Sequence, residues 1–189
     1  MTSVNACLGM GQKDIALLRK SLSEDRSTLE QSFKQHGKAM RLLSSHSSLI
    51  DKYLSQVWLK LAMPDHIALI AVGGYGRGEL YPRSDIDLLI LLDDVPDHNL
   101  QQKLHQLVGI LWDIGLEVGH SIRTVDECLT ESADLTVQTN LLEARMLSGD
   151  AKLFGQMYTA VHEHLDLHKF FIAKQLEQKQ RHARFQETD

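Results

Sequence analysis

The sequence predicts an α+β fold of α/β-like order: a small mixed β-sheet flanked by helices, with helical segments at both ends of the chain. Two apolar runs, at 67–72 and 86–92, have the length of strands and are joined by a glycine-rich segment. A third short apolar run follows at 116–123. The long stretches on either side repeat apolar residues every three or four positions, which is the period of a helix.

Composition narrows the class of protein. The chain has 189 residues, of which 43% are hydrophobic, enough for one domain with a helical appendage. Its net charge of −5 argues against a basic face for nucleic acid. Cys7 and Cys128 are far apart and match no metal or redox spacing, so we expect a reduced, cytoplasmic compartment. The apolar runs are too short to cross a membrane, and no signal peptide is evident.

The amino-terminal part is predicted to be helical. The pattern is helical from 14 to about 45, and the polar stretch 21–27 is a possible break that would divide it into two helices. A further helix is expected over 47–62, ended by Pro64 because proline cannot continue a helix. The first residues of the chain, small and polar, are expected to be flexible.

The three apolar runs form the predicted core. The run at 67–72 is apolar on both faces, which is typical of a central, covered strand. The second strand ends at the polar segment 93–97, where Asp97 or Asn99 would cap a helix that runs to about Trp112. The third strand, over 116–123, leads into a short helix near 125–129.

The carboxyl-terminal part is also predicted to be helical. A helix is expected over 134–147, broken at Gly149, and another helical stretch over 151–185. The almost wholly polar end, 175–189, suggests a chain cut from a longer protein. The predicted division is a flexible amino terminus at 1–13, a helical segment at 14–63, a core at 64–150 and a carboxyl-terminal helical segment at 151–189.

The chemistry is concentrated where the first two strands are joined. Gly73 and Gly74 directly follow the first strand, where backbone N–H groups of a glycine turn can cradle a triphosphate. Asp85 and Asp87 stand at the start of the second strand. This spacing puts both carboxylates on one face of the strand, with the Cα atoms roughly 6–7 Å apart. Two such carboxylates suit Mg²⁺, or a pair of ions in an in-line phosphoryl-type displacement. Either feature alone is most often a plain turn or a solvated pair, but the combination is specific.

Two commoner phosphate-binding motifs do not fit. No Gly-Lys-Ser/Thr follows the glycines, so the segment is not a P-loop. Gly73, Gly76 and Gly78 lead through Tyr81 and Pro82 into a strand, whereas a dinucleotide-binding fingerprint leads into a helix.

The paired motif resembles the nucleotidyltransferase superfamily typified by DNA polymerase β. The fuller string Gly-Gly-Tyr-Gly-Arg-Gly-Glu-Leu-Tyr-Pro-Arg-Ser-Asp-Ile-Asp-Leu-Leu, at 73–89, is similar to one branch, the bacterial PII uridylyltransferase/uridylyl-removing enzymes of nitrogen sensing. Val-Gly-His-Ser-Ile-Arg-Thr at 118–124 and Thr-Asn-Leu-Leu-Glu-Ala-Arg at 139–145 also resemble that family. Its members are longer and carry HD and ACT domains, so this chain resembles their amino-terminal transferase segment.

The resemblance implies transfer of UMP from UTP to a tyrosine of the PII protein, with release of pyrophosphate. Asp85 and Asp87 would bind Mg²⁺ or Mn²⁺, and Gly73 and Gly74 would hold the triphosphate. The alternatives are an adenylyltransferase of the same fold, or a catalytically weak nucleotide-sensing or interaction module. No nucleic acid or membrane partner is expected.

The superfamily usually adds a third carboxylate from a later strand. Glu117, with apolar neighbours, is the candidate for this third carboxylate. The interpretation that it is an ordinary surface glutamate has equal weight. In the related glutamine synthetase adenylyltransferase, the corresponding aspartate falls where this sequence has Gly119. Asp134 and His120 are weaker substitutes.

Other polar residues of the region have two readings each. Arg77 would contact a phosphate or brace the loop through Glu79, and Ser84 would bond the nucleotide or shape the turn before the second strand. Arg123 shares a strand face with Glu117 by parity and is expected to point towards the cleft. Tyr75 and Tyr81 would stack on a base or, more commonly, pack. Three histidines at helical spacing are expected to form a solvated helix face: His162, His164 and His168.

Overall fold

A computed structural model describes residues 10–186, with side chains described as far as residue 180. Residues 1–9, most of the segment predicted to be flexible, lie outside the described part. The described part contains eight helices and one four-stranded sheet. The elements are α1 Gln12–His36, α2 Ala39–Lys60, β1 Ala68–Ala71, α3 Gly73–Gly76, β2 Ile86–Leu92, α4 His98–Asp113, β3 Val118–Thr124, α5 Val125–Glu131, α6 Leu135–Leu142, β4 Arg145–Gly149, α7 Ala151–Glu163 and α8 Leu167–Gln186.

The sheet is mixed, as predicted, and its order is β3-β2-β1-β4. Strand β1 pairs antiparallel with both β2 and β4, whereas β2 and β3 are parallel. All four residues of β1 are buried, which confirms the prediction of a central, covered strand. This pairing brings the end of β1 and the beginnings of β2 and β3 to the same end of the sheet. The glycine-rich segment 73–78, called the glycine segment below, and the Asp85–Asp87 pair therefore meet there.

Each face of the sheet is covered by helices. Ile86, Leu88 and Ile90 of β2 point into one core, which contains residues of α1, α2 and α4. Leu89 and Leu91 point into a second core, formed with residues of α5, α6 and α7. Alternate residues of one strand thus serve opposite cores, as the two-residue period of a strand requires.

The amino-terminal helices differ from the prediction. Helix α1 runs unbroken through 21–27, and the chain instead turns at Gly37, whose φ of 64° is left-handed. Polar residues at 21–27 do not end the helix because most of α1 is exposed and Leu22 is its buried residue. The next helix begins at Ala39, earlier than predicted, and ends at Lys60, before Pro64.

The predicted helix over 134–147 is wrong in its second half. Helix α6 ends at Leu142, and β4 begins at Arg145 as the edge strand beside β1. Local pattern missed β4 because Arg145–Gly149 is short and its identity as a strand depends on the distant β1. The stretch 151–185 is helical as predicted but divides into α7 and α8 at 164–166.

The starts of α4 and α5 agree with the sequence prediction more closely than the bounds of α1, α2 and α6 do. Asp97 caps α4, its carboxylate accepting a hydrogen bond from the amide of Leu100 at 2.7 Å. Thr124 begins α5 in a capping box with Glu127. Within 10–186 no helix is both long and apolar enough to cross a membrane.

Candidate active site

The glycine segment is fixed to β2 at its first residue. The amide of Val72 donates to the backbone oxygen of Asp87 at 3.1 Å, which sets the start of the segment beside that aspartate. Gly73 has a left-handed φ of 59° and opens α3, a helix of one turn. The expected glycine turn is therefore a sharp bend followed by this single turn. As at any helix start, the first amides have no acceptor within the helix.

Glycines also flank the carboxylate of Asp87. A Cβ atom on Gly73 would lie 3.5 Å from its Oδ2, and one on Gly119 would lie 3.0 Å from its Oδ1. Gly119 stands directly opposite Asp87 in the parallel register of β2 and β3. The absence of side chains at both positions keeps the space around this carboxylate free.

Asp85 and Asp87 influence each other electrostatically. Loss of solvation raises the pKa of Asp87, and the nearby charge of Asp85 raises it further. Two carboxylates that repel one another at a partly open position could hold a divalent cation, which would neutralise them. Among residues 10–186, no group of three or more His, Cys, Asp or Glu side chains is close enough to hold a metal ion.

Glu117 lies beside the start of β2. Its backbone oxygen accepts from the amide of Ile86 at 2.9 Å, just before β3 begins. Its carboxylate acts electrostatically on Arg26 of α1, whereas the pKa of Asp87 responds to Asp85. Glu117 also lines an open depression together with Asp85. Its role as a third ligand therefore stays a prediction.

The two substitutes for Glu117 have other contacts. Asp134 caps α6, its carboxylate accepting from the amides of Thr136 and Val137 at 2.8 and 3.1 Å. His120 packs edge-on against Trp112, with ring centroids 6.3 Å apart. His120 also lines the cavity beside Asp87.

Arg77 braces the glycine segment. Its Nη1 lies 2.5 Å from Oε2 of Glu143, and its Nε lies 3.8 Å from Oε2 of Glu79. The loop-bracing reading therefore has direct contacts, with Glu143 as a partner that the sequence did not indicate. Ser84 donates to the backbone oxygen of Tyr81 at 2.9 Å, which shapes the turn before β2.

The two tyrosines of the segment have opposite environments. Tyr75 is buried, and its hydroxyl donates to Asp51 of α2 at 2.5 Å. Burial, with this hydrogen bond, raises the pKa of the Tyr75 hydroxyl. Tyr81 is 64% exposed. The packing interpretation is thus confirmed for Tyr75, and Tyr81 remains accessible.

A cavity of about 200 Å³ lies between β2, β3 and α6. Asp87 lines it together with Ser121 and Arg123 of β3 and Asn140 of α6. Arg123 faces this cleft as predicted, with its Nη2 held 2.5 Å from Oε2 of Glu131. Sequence reasoning gave Asn140 no role, although it belongs to the stretch 139–145 that resembles the family.

The histidines at helical spacing are exposed, as expected for a solvated face. The rings of His162 and His164 each hydrogen-bond a backbone oxygen of the preceding turn, at 2.8 and 2.9 Å.

Fold and site define a class of protein. A mixed sheet, with a glycine segment and an Asp-x-Asp pair meeting at one end, is the arrangement expected of a nucleotidyltransferase. The nucleotidyltransferase domain profile matches residues 52–185. The chain belongs to this family.

The chain is also similar to particular bacterial enzymes. It is 48% identical over 178 residues to the bifunctional uridylyltransferase/uridylyl-removing enzyme of Nitrosospira multiformis, covering 90% of this chain and 20% of that protein. It is 44% identical over 172 residues to the enzyme of the same name from Cupriavidus metallidurans, with the same coverage. The chain thus spans about a fifth of the length of these curated relatives.

Among solved structures, the chain is similar to a toxin–antitoxin complex with AMP-PNP. The TM-score is 0.37 at 18% identity, over 72% of this chain and 96% of that one. This similarity is too low to support a functional conclusion.

Proposed function

We propose that the chain is the catalytic segment of a metal-dependent nucleotidyltransferase that transfers UMP from UTP to a tyrosine of the PII nitrogen-regulatory protein. The observation that best supports this is the convergence of Gly73, Asp85 and Asp87 at one end of the sheet. The relatives named uridylyltransferases support the choice of UTP. The family resemblance supports the acceptor.

Asp85 and Asp87 would hold Mg²⁺ or Mn²⁺. Their oxygen ligands fit a hard cation, and the raised pKa of Asp87 fits a site where a positive charge relieves repulsion. When bound, such ions would stabilise the charge that develops on the phosphate oxygens and activate the acceptor hydroxyl. Glu117, which lines the depression beside Asp85, is proposed as an additional ligand.

The glycine segment would hold the leaving group. The amides of Gly73 and Gly74 would donate to phosphate oxygens, Ser84 would bond the nucleotide, and Arg77 would keep the segment rigid. The tyrosine oxygen attacks the α-phosphorus, the bond from the α-phosphorus to the bridging oxygen breaks, and pyrophosphate leaves with the bonding electrons. The hydroxyl proton passes to solvent water as the new phosphodiester bond forms.

The direct test is a transfer assay with labelled UTP and PII, comparing wild type with Asp87→Asn and Asp85→Asn. Each variant should lose at least about a hundredfold in rate because a ligand of the cation that would stabilise the reacting phosphate is removed. Asp93→Asn is the matched control, an aspartate just past the other end of β2. Near-wild-type transfer by the double variant would refute the metal assignment.

A thermal-shift comparison of UTP with ATP, each with Mg²⁺, tests the nucleotide. A larger stabilisation by UTP is expected, since at equal concentration the ligand with the lower Kd stabilises the folded state more. Preference for ATP would point to adenylyl transfer. Binding of UTP without any transfer to PII would favour a nucleotide-sensing segment.

A further inference from the structure

Two uncharged polar side chains line the cavity beside Asp87. Asn140 reaches it from α6 and Ser121 from β3. Asn140 is half-buried, and its side chain makes no hydrogen bond to any residue in the described part of the chain. Its amide nitrogen and oxygen are open to the cavity, so both are free to contact a ligand placed there.

Asn140 is also close to the glycine segment. Its Oδ1 lies 3.3 Å from the position that a Cβ atom on Gly73 would occupy, and Oδ2 of Asp87 lies 3.5 Å from the same position. The amide and the carboxylate therefore both border the space beside Gly73. A side chain at residue 73 would fill the space between them.

The two arginines beside this space, Arg77 and Arg123, already form ion pairs within the protein. Arg77 is paired with Glu143 and Glu79, and Arg123 is paired with Glu131. An anionic ligand at Gly73 would therefore meet paired guanidinium groups and a carboxylate. The Asn140 amide can supply two N–H donors without bringing a charge.

We propose that Asn140 is a binding residue for the triphosphate, its side-chain N–H group donating to a phosphate oxygen held at Gly73. This rests on the proposed function, which assigns the triphosphate to the glycine segment. The opposite orientation, with the amide oxygen directed at a cation beside Asp87, is the competing reading that the test must exclude. The two ends of an amide are told apart by their hydrogen-bond partners. The Asn140 amide has none in the described part of the chain, so binding measurements must decide which end meets the ligand.

The test measures binding of a non-hydrolysable UTP analogue with Mg²⁺ to wild type, Asn140→Ala and Asn140→Asp. Asn140→Ala should weaken binding about ten- to a hundredfold, the size of a lost hydrogen bond to a charged group. Asn140→Asp should weaken it further because a carboxylate cannot donate and repels phosphate. Gln138→Ala, on the same helix but outside the cavity lining, should bind as wild type does.

Binding of Mn²⁺ without nucleotide, followed by electron paramagnetic resonance, separates the two readings. The proposal expects Asn140→Ala to bind Mn²⁺ as wild type does. A loss of Mn²⁺ binding in Asn140→Ala, or nucleotide binding by Asn140→Asp as tight as wild type, would overturn it. Asn140→Ser, which keeps a small donor, should fall between wild type and Asn140→Ala, and thermal unfolding checks that each variant is folded.

The outcomes also separate this inference from the proposed function. If wild type binds the UTP analogue and Asn140→Ala binds it equally well, the role of Asn140 is refuted and the proposed transferase remains. If wild type binds neither UTP nor another nucleoside triphosphate with Mg²⁺, both fail.

Discussion

Gly76 shows how a single residue fixes the distance between two segments of the site. A Cβ atom at this position would lie 2.1 Å from the backbone oxygen of Glu143 and 3.0 Å from that of Ala71. Both neighbours are backbone atoms, so neither can rotate away as a side-chain end would. Glycine at this position therefore allows α3 to approach the connection between α6 and β4.

Gly76→Ala should destabilise the protein by about 3 kcal/mol, since one methyl group is forced into a closed backbone contact. Gly109→Ala in α4 is the matched control, because nothing lies within 4 Å of a Cβ there. That control should gain about 0.5–1 kcal/mol, as glycine is a poor residue inside a helix. Free energies of unfolding from denaturant titrations measure both changes. Equal effects of the two substitutions would contradict the assignment of a close contact.

At the scale of elements, Arg145 connects three of them at the first residue of β4. Its guanidinium binds both carboxylate oxygens of Asp51 in α2, at 2.8 and 3.1 Å. It also donates to the backbone oxygens of Tyr75 and Gly76 in α3, each at 3.3 Å. The short helix of the glycine segment is thereby held between α2 and β4. We infer that this network stabilises the position of α3.

Arg145→Ala should lower the free energy of unfolding by about 2–3 kcal/mol, because the Asp51 carboxylate and two backbone oxygens lose their donors. The cost is below that of a fully buried pair, since the two side chains are 34% and 29% exposed. Lys20→Ala is the control, as its pair with Glu24 is 75% and 65% exposed. Chemical denaturation should show a change of about 0.5 kcal/mol or less for that control. A similarly small change for Arg145→Ala would refute a stabilising role for the network.

For the molecule as a whole, two cores on opposite faces of one sheet carry the fold. Cys128 of α5 is fully buried in the core formed with α6 and α7. Burial raises the pKa of its thiol to about 11. Because the thiolate is the reactive form, this group reports whether the second core is closed.

In a Cys7→Ser background, Cys128 should resist alkylation at pH 8 and react fully once the protein is unfolded. The raised pKa keeps the thiol protonated and unreactive up to a pH near 11 in the folded state. Because folding raises this pKa, the contribution of the thiol to stability is complete below its usual pKa of about 8.5. The contribution falls above that pH and is lost as the pH rises through 11. Mass spectrometry of samples alkylated with iodoacetamide and quenched with excess free thiol at successive times measures the rate. Labelling of the native protein as fast as of the unfolded chain would show that this core opens readily.

Local sequence determined the central elements. The boundaries of β2 were predicted without error, and the end of α4 was predicted within a residue. Asp97, one of the two predicted cap candidates, caps α4. Period, capping chemistry and strand length are local properties, so the sequence carries them. The Asp-x-Asp spacing with Gly73 and Gly74 also identified the candidate site, since both features are contiguous in the chain. The position of β3 was predicted within two residues.

Tertiary structure alone decided β4 and the partners of the site. Strand β4 exists because β1 offers a free edge, which no local pattern reveals. Asn140, Glu143 and Arg145 reach the glycine segment through long-range packing of α6 and β4. Glu117 and Gly119 likewise depended on the register of β3: Gly119 lies opposite Asp87, while the charge of Glu117 acts on Arg26. The sequence identified the candidate pair Asp85 and Asp87 because the two residues are close together in the chain. The residues that surround the pair are distant in sequence, and only folding brings them together.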